Sequence, residues 1–443
     1  MSGSYRQDIH KVRQSRLCGD VFAVETEIKI NGNMDEKELY EAALRYHSEG
    51  RAGKTEIRPT KPCSTPTDLA LAYSPGVAAP ALEIAADDAK SYTYTNRGNL
   101  VAVITNGTAV LGLGNVGPLA AKPIMEGKCM LFKQMAGIDA FDIEIDALIP
   151  DEFVECVRRI APTFGGINLE DIKAPECFEI ERRLQEVLDI PVMHDDQHGT
   201  AIIAAAALIN LCRLTGKPLE SLRIVVSGAG AAAIASARMF VSMGIARENI
   251  ILCDSRGAVT FGRTDLTPEK REFATSADVA TLDEAIAGAD VFLGVSKPNL
   301  LTADMIRSMA KDPLIMALAN PDPEISRADA LAARPDVIYA SGRSDTPNQV
   351  NNLLGFPYIF RGALDAGASR IDEPMKLAAA EALAELARQP VSQELQQLLG
   401  REGMSFGKEY IIPSPFDPRL RETIPAAVSK AAIKSGAARK KRD

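Results

Sequence analysis

The residues with the most chemistry in this chain lie between Gly165 and Thr200, GGINLEDIKAPECFEIERRLQEVLDIPVMHDDQHGT. The stretch reads as strand, helix, strand. GGINL runs directly into Glu170 and Asp171, and IPVM into His194, Asp195 and Asp196. In a parallel sheet the carboxyl ends of successive strands lie side by side, and open α/β sheets bind ligands there. Two acidic pairs, far apart in sequence, are therefore expected to meet in one crevice. Carboxylates gathered at one spot raise one another's pKa unless a cation sits among them. An all-oxygen, hard ligand set suits Mg²⁺ or Mn²⁺ rather than Zn²⁺. The plain alternative is that acidic residues end strands in solvated loops, and two pairs on one βαβ unit weigh against it.

A second constellation follows. Gly228-Ala-Gly230-Ala-Ala232-Ala233 stands after the strand Leu222–Ser227 and before the helix Ala231–Met243. The next strand, Ile250–Cys253, ends at Asp254, followed by Ser255 and Arg256. This is a G-x-G-x-x-A loop in the context a dinucleotide pyrophosphate requires. Asp254 can accept from a ribose 2′-hydroxyl, as in NAD, while Arg256 can pair with the 2′-phosphate of NADP. An earlier match, Gly112-Leu-Gly114-Asn-Val-Gly117, is discounted as a dinucleotide loop, because Pro118 follows and Pro123 should end its helix after about one turn. Its backbone could still lie beside a small anion.

Several single residues have a functional and a structural reading. Tyr73, in AYSPGVA, reads on spacing alone as an aromatic plug at a helix end. Lys128, in EGKCMLF, is placed at the mouth of an apolar strand, where a lysine normally snorkels to water. In a closed cleft its pKa would fall and it could act as a base. Ser296, Asn320 and Asn352 offer a hydroxyl and two amides near strand ends and a helix start.

The positioning elements follow from periodicity. Strands are expected at Leu100–Thr105, Ala109–Leu113 and Phe141–Ile145, with Asn106-Gly107 as a hairpin-type turn. Helices are expected at Asp35–His47, Pro150–Ile160, Gly199–Leu214 and Glu373–Gln389. After the dinucleotide loop, strands at Val291–Val295, Leu314–Ala319 and Val337–Ala340 alternate with helices at Thr302–Ala310 and Arg327–Ala333. The fold class is α/β: a Rossmann-type domain plus an α/β substrate and dimerisation domain completed by C-terminal helices. The expected divisions are an arm at 1–34, a substrate and metal domain at 35–198, a dinucleotide domain at 199–342, and helices at 343–443 returning to the first domain, with a peripheral Pro- and Lys/Arg-rich end after about 410.

Composition narrows the class. The 443 residues are 46% hydrophobic and 25% charged, ordinary for a globular protein of two or three domains. A net charge of −9 weighs against nucleic-acid binding. Seven scattered cysteines without C-x-x-C suit a reducing compartment and indicate neither a zinc ribbon nor a dithiol. No apolar segment follows Lys11, Arg13 and Arg16 as in a secretory leader. The apolar run Ala201–Leu211 is too short to span a bilayer. A cytoplasmic protein without a membrane role is expected.

Taken in order, Tyr73 in AYSPGVA, Gly112–Gly117, Lys128 in MEGK, Glu170-Asp171, HDDQHGT, GAGAAA, Asn320-Pro and NQVNN resemble malic enzymes, specifically the shorter bacterial form without a C-terminal phosphotransacetylase-like domain. The likeness spans roughly 55–390. It implies oxidative decarboxylation of malate to pyruvate and CO₂ with reduction of NAD or NADP, dependent on Mg²⁺ or Mn²⁺, with oxaloacetate decarboxylation as a partial activity, in a homodimer. It implies Lys128 as general base and Tyr73 as the acid that protonates C3. It implies Glu170, Asp171 and Asp196 as metal ligands, Asp195 behind them orienting Lys128, and Asn320 and Asn352 as substrate amides. Asn106-Gly-Thr-Ala109 stands where larger members carry a carboxylate-binding arginine. Two other readings are an amino-acid dehydrogenase, whose chemistry needs no acidic quartet, and a non-catalytic dinucleotide-binding pseudoenzyme.

Overall fold

The computed structural model describes residues 36–110 and 113–439. The expected arm at 1–34 lies outside the described residues. The described residues up to Lys54 belong to one unit and those from Thr55 to another. In the first, the helix Glu36–Ser48 forms where the spacing of Leu39, Ala42, Ala43 and Tyr46 places it.

The second unit holds two sheets. One has β1 (Leu100–Thr105), β2 (Asp139–Glu144), β3 (Gly166–Leu169) and β4 (Val192–His194), in the order β2-β1-β3-β4. All of its pairings are parallel. β1 and β3 are buried along their whole length, which is why LVAVIT and GINL read as continuous apolar runs rather than alternations. The other sheet has β5 (Ile224–Ser227), β6 (Ile250–Asp254), β7 (Gly257–Ala258), β8 (Val291–Gly294), β9 (Leu314–Ala317) and β10 (Ile338–Ser341), in the order β10-β9-β8-β5-β6-β7. Only the short β7 runs antiparallel.

The helix Asp195–Thr215 leaves β4 and passes into the main core, where Ala201–Leu208 are all buried. It is longer than the expected Gly199–Leu214 and begins with the two aspartates. By length and composition it could cross a membrane, which the apolar run alone did not suggest, but here it packs inside the protein. Its Ala-rich surface lets the helices Ala231–Ser242 and Glu373–Arg388 approach closely.

Three expectations change. The expected strand Ala109–Leu113 includes Leu111 and Gly112, outside the described residues; Ala109 and Val110 form no strand, and Asn106-Gly107 is not a hairpin: Val110 makes one isolated bridge to Gly114, and the neighbours of β1 are the parallel β2 and β3. Gly107 turns instead at φ +66°, and a Cβ there would stand 2.2 Å from the Gly117 carbonyl oxygen. The helix Pro118–Ala136 runs unbroken through Pro123. That proline falls in the second turn and gives up one ladder bond, while Ala121, Met125, Cys129 and Phe132 bury the face that holds the helix. Lys128 therefore sits in mid-helix and not on a strand.

The third change concerns the end of the chain. Leu420–Ser435 is a helix with Leu420, Ile424, Val428 and Ala432 fully buried. It crosses the helix Phe356–Asp365 so closely that a Cβ on Gly362 would lie 2.7 Å from Pro425. Phe356 and Phe360 in turn pack edge-on against Phe132 at 4.8 and 5.5 Å.

Candidate metal and dinucleotide site

Register builds the acidic crevice. Leu169 pairs with His194, so the residues that follow, Glu170-Asp171 and Asp195-Asp196, emerge together at the carboxyl ends of β3 and β4. The Asp171 backbone N–H donates to Asp196 Oδ2 at 2.8 Å. Asp171 has φ +53°, a left-handed conformation that strains a non-glycine residue. The N–H groups of Thr108 and Ala109 hold its carbonyl there at 3.1 and 3.0 Å.

Glu170, Asp171 and Asp196 each offer an oxygen within 4.8 Å of the others. Asp171 Oδ2 is buried without a hydrogen-bond partner. Burial, then the charges of Asp196 and Glu170, push Asp171 up to about 9. Burial, then Asp195, pushes Asp196 up to about 6. An orphaned buried oxygen within an all-carboxylate set fits a hard dication, so these three residues can hold Mg²⁺ or Mn²⁺.

Lys128 enters from its helix, 7% exposed. Its Nζ lies 2.7 Å from Asp195 Oδ2 and 2.9 Å from Glu170 Oε1, over the Phe356 ring at 4.2 Å from the centroid. Burial alone would lower its pKa, as the sequence argument held. Asp195 and Glu170 outweigh burial and keep it well above the usual lysine range. Asp195 thus faces Lys128 and not the trio. The same Oδ2 accepts from Asn352 Nδ2 at 2.7 Å, so Asn352 reaches the site through Asp195. Gly199 makes room: a Cβ there would stand 2.3 Å from Asp195 Oδ1 and 2.7 Å from Asn352 Cβ.

Tyr73 is not brought to this cluster. It ends the helix Pro66–Ala72 and is 71% exposed. The helices Pro66–Ala72 and Ala78–Ala86 bury no residue, and Leu69, Leu71 and Leu82 stand exposed beside it. Asn320 lies at the carboxyl edge of the second sheet, its Nδ2 3.4 Å from the Leu318 carbonyl.

The loop after β5 is built as a pyrophosphate loop requires. Gly228 has φ +126°, and a Cβ there would press on the Val295 carbonyl at 2.9 Å. Gly230 caps the helix Ala231–Ser242, with open space where a Cβ would be. Ala233 is buried against the core, and Ala232 lies in the same first turn. Ser296 closes the neighbouring strand end, its Oγ 2.9 Å from that of Ser227.

Asp254 ends β6 as expected, yet its oxygens are already taken. Oδ1 accepts from Arg263 at 2.8 Å and from the Arg256 backbone N–H at 3.0 Å. Oδ2 accepts from Arg263 and Lys270, both at 2.9 Å. Burial opposes ionisation, but Arg263 and Lys270 hold Asp254 well below the usual carboxylate range. The Arg256 side chain beside it is 70% exposed.

The sequence reading passed over Arg263 and Lys270, whose partner lies 9 and 16 residues away. It also missed Glu324, fully buried, whose carboxylate accepts from the Ser296 and Ala319 backbone N–H groups at 3.2 and 3.1 Å. That contact ties the two strand ends carrying Ser296 and Asn320. A glutamate beside the turn residues Asn320-Pro-Asp-Pro gave no periodic signal.

A lysine–carboxylate cluster on one parallel sheet, with a glycine loop and acidic strand end on a second, defines an α/β protein of the dinucleotide-binding class. The chain belongs to the malic enzyme family. Residues 52–185 match the malic enzyme N-terminal domain and residues 197–399 the malic enzyme NAD-binding domain. It is 59% identical to an NADP-dependent malic enzyme of Rhizobium meliloti, over 90% of this chain and 52% of that one. It is 56% identical to the NADP-dependent malic enzyme of Halomonas elongata, over 90% and 95%. An NAD-dependent malic enzyme of Rhizobium meliloti is 55% identical, over 93% and 53%. The chain thus spans about half the length of the Rhizobium relatives and nearly all of the Halomonas one. The crystal structure of malic enzyme from Pyrococcus horikoshii superposes with a TM-score of 0.83 at 41% identity, covering 91% of this chain and 92% of that one.

Proposed function

We propose that the protein oxidises malate at C2 and decarboxylates the product to pyruvate and CO₂, reducing NAD(P)⁺. The observation that carries this reading is Lys128, buried between Asp195 and Glu170 at the edge of a cation-type trio. An amino-acid dehydrogenase has no use for that trio. A dication shared by Glu170 would weaken that carboxylate's hold on the ammonium and lower its pKa, and Lys128 in its neutral form takes the C2 hydroxyl proton, with Asp195, fixed by Asn352, aiming the amine. Glu170, Asp171 and Asp196 would hold the dication, which would supply Lewis acidity toward the substrate. The loop at Gly228–Ala233 would hold the pyrophosphate, and Ser296 and Asn320 would line the dinucleotide's site. Tyr73 donates the C3 proton. Its exposed position means that this role requires the arm Pro66–Ala86 to be covered, and the homodimer is part of the same reading. So are a cytoplasmic location, a boundary between substrate and dinucleotide domains near 198, and a return of the segment after 343 to the first domain. The test follows reduced cofactor with malate and Mn²⁺, with and without EDTA. No turnover with either cofactor overturns the activity, and EDTA-resistant turnover overturns the metal role.

Three further outcomes are expected. Tyr73→Phe should spare hydride transfer and slow pyruvate formation; equal loss of both partial reactions rejects the acid role. With both Asp254 oxygens occupied, and the exposed Arg256 held only by an ion pair to Asp265 at 3.0 Å that a phosphate can replace, kcat/KM should favour NADP⁺ over NAD⁺ by at least about tenfold. Parallel kinetics with the two cofactors check this, and an NAD⁺ preference refutes it.

The third is a pH effect. In the metal-free protein Asp171, with a pKa of about 9, keeps a proton that the unfolded chain, titrating near ~4, has released. The folded state then binds more protons than the unfolded one, so stability falls as pH rises through that window. A cation must displace that proton, so Mn²⁺ affinity rises with pH up to about 9. Melting curves in EDTA and Mn²⁺ titrations from pH 6 upward should move in these opposite directions, and pH-independent affinity would contradict the assignment.

A further inference from the structure

The helix Asp195–Thr215 carries two site aspartates in its first turn, yet its cap residue His194 makes no side-chain capping bond. At a capping box, a Glu or Gln three residues in reaches back to the cap N–H. Here that third position is Gln197, whose amide is turned away to donate to a carboxylate instead. That carboxylate comes from another helix. Glu181, on Glu176–Val187, is 6% exposed, and its Oε1 accepts the His194 backbone N–H at 2.8 Å. Its Oε2 accepts from Gln197 Nε2 at 3.1 Å and lies 3.0 Å from His198 Nε2. The other ring nitrogen of His198 faces Lys376 Nζ at 3.3 Å. Lysine can only donate there, so Nδ1 accepts and the His198 proton is on Nε2. Every group that meets Glu181 is therefore a donor.

We propose that Glu181 is a positioning residue: a carboxylate lent by one helix to cap the next, fixing the orientation of Asp195 and Asp196. Glu181 touches none of the proposed metal ligands and acts only through His194, Gln197 and His198. Its negative charge also lies at a helix N-terminus, where it is favoured. The inference rests on the metal reading above, since it concerns how well the turn presents Asp196 to a cation and Asp195 to Lys128.

Glu181→Gln tests it. The amide is isosteric but sets an N–H group against the donors of Gln197 or His198. Mn²⁺ binding to the whole protein, read by electron paramagnetic resonance, is expected to weaken about 10- to 100-fold, the usual cost of losing a group that orients a ligand. Malate kcat should fall with it. NADPH affinity, read by fluorescence, should stay within about twofold, which general loosening of the fold would not permit. Gln197→Met removes one donor without burying a charge unpaired. It should weaken Mn²⁺ binding by about threefold to tenfold, and it decides the matter if Glu181→Gln does not fold. Wild-type Mn²⁺ affinity in folded Glu181→Gln, or in Gln197→Met if the first variant does not fold, overturns the proposal. Equal loss of Mn²⁺ and NADPH binding does so too. If the wild-type protein binds no Mn²⁺, the metal reading itself fails, independently of Glu181.

Discussion

Lys128→Ala should abolish malate oxidation, with kcat falling by about 10³-fold or more, in the upper part of the range for a general acid–base group. The geometry leaves no substitute: among the described residues, no other ammonium or guanidinium is recorded against Asp195 or Glu170. Removing the cation also leaves two buried carboxylates without their partner, which ordinarily costs about 3–5 kcal/mol. Asp195 and Glu170 can escape that cost by taking up protons. The folded variant then binds more protons than its unfolded chain, so its stability deficit should grow with rising pH. Melting curves of wild type and variant at pH 6 and pH 8 read the difference. NADPH should bind both alike, because the dinucleotide loop lies on the other sheet. Malate oxidation within tenfold of wild type would remove Lys128 from the mechanism. A stability deficit independent of pH would show that the carboxylates do not depend on it.

The second large effect is expected at Gly199. An added Cβ would overlap Asp195 Oδ1 and Asn352 Cβ, at 2.3 and 2.7 Å. Neither neighbour can simply yield: Asp195 is fixed by Lys128, and Asn352 begins a short helical turn leading into the buried segment at Leu354–Phe360. Gly199→Ala should therefore push Asn352 off Asp195 and tilt the carboxylate that aims Lys128. Displacements of about 1 Å at such a position cost on the order of 10²-fold in rate. Alanine is a better helix former than glycine by about 1 kcal/mol, so the helix itself gains while the site loses. Activity should drop far more than the melting temperature. If kcat survives within about threefold, the contact between Asn352 and Asp195 does not matter for turnover.

Much of this architecture can be read from local pattern. Uniformly apolar LVAVIT and GINL announce buried parallel strands, and the acidic pairs at their ends depend only on register. The helices Pro150–Ile160 and Arg327–Ala333 coincide with their expected bounds. Lys128 was misplaced because GKCMLF is short enough to pass for a strand and Pro123 seemed to forbid a helix. The better signal was Met125, Lys128, Cys129 and Phe132 at helical spacing, all buried. The last helix was overlooked for its prolines and cations, though Leu420, Ile424, Val428 and Ala432 recur every four residues. Glu181 shares a helical face with Cys177, Ile180 and Leu184, and a glutamate on an apolar stripe was the available clue. What no local pattern carries is pairing across the fold. The bond between Asn352 and Asp195 spans 157 positions in sequence. The capture of Asp254 by Arg263 and Lys270 likewise depends on how the loop after β7 folds back.

The ammonium of Lys128, seated between Asp195 and Glu170, bears on when in the protein's life its metal is acquired. A cluster of buried carboxylates with no internal cation would make folding wait for metal, as in domains that collapse only around zinc. Here part of the negative charge is balanced from within the chain, and Asp171 can carry a proton for the rest. On the proposed metal reading, synthesis and folding would be complete before any ion arrives, and loss of the ion would stop turnover while leaving the protein folded and ready to be reloaded. Activity would then be a matter of ion supply, adjustable over the life of one molecule.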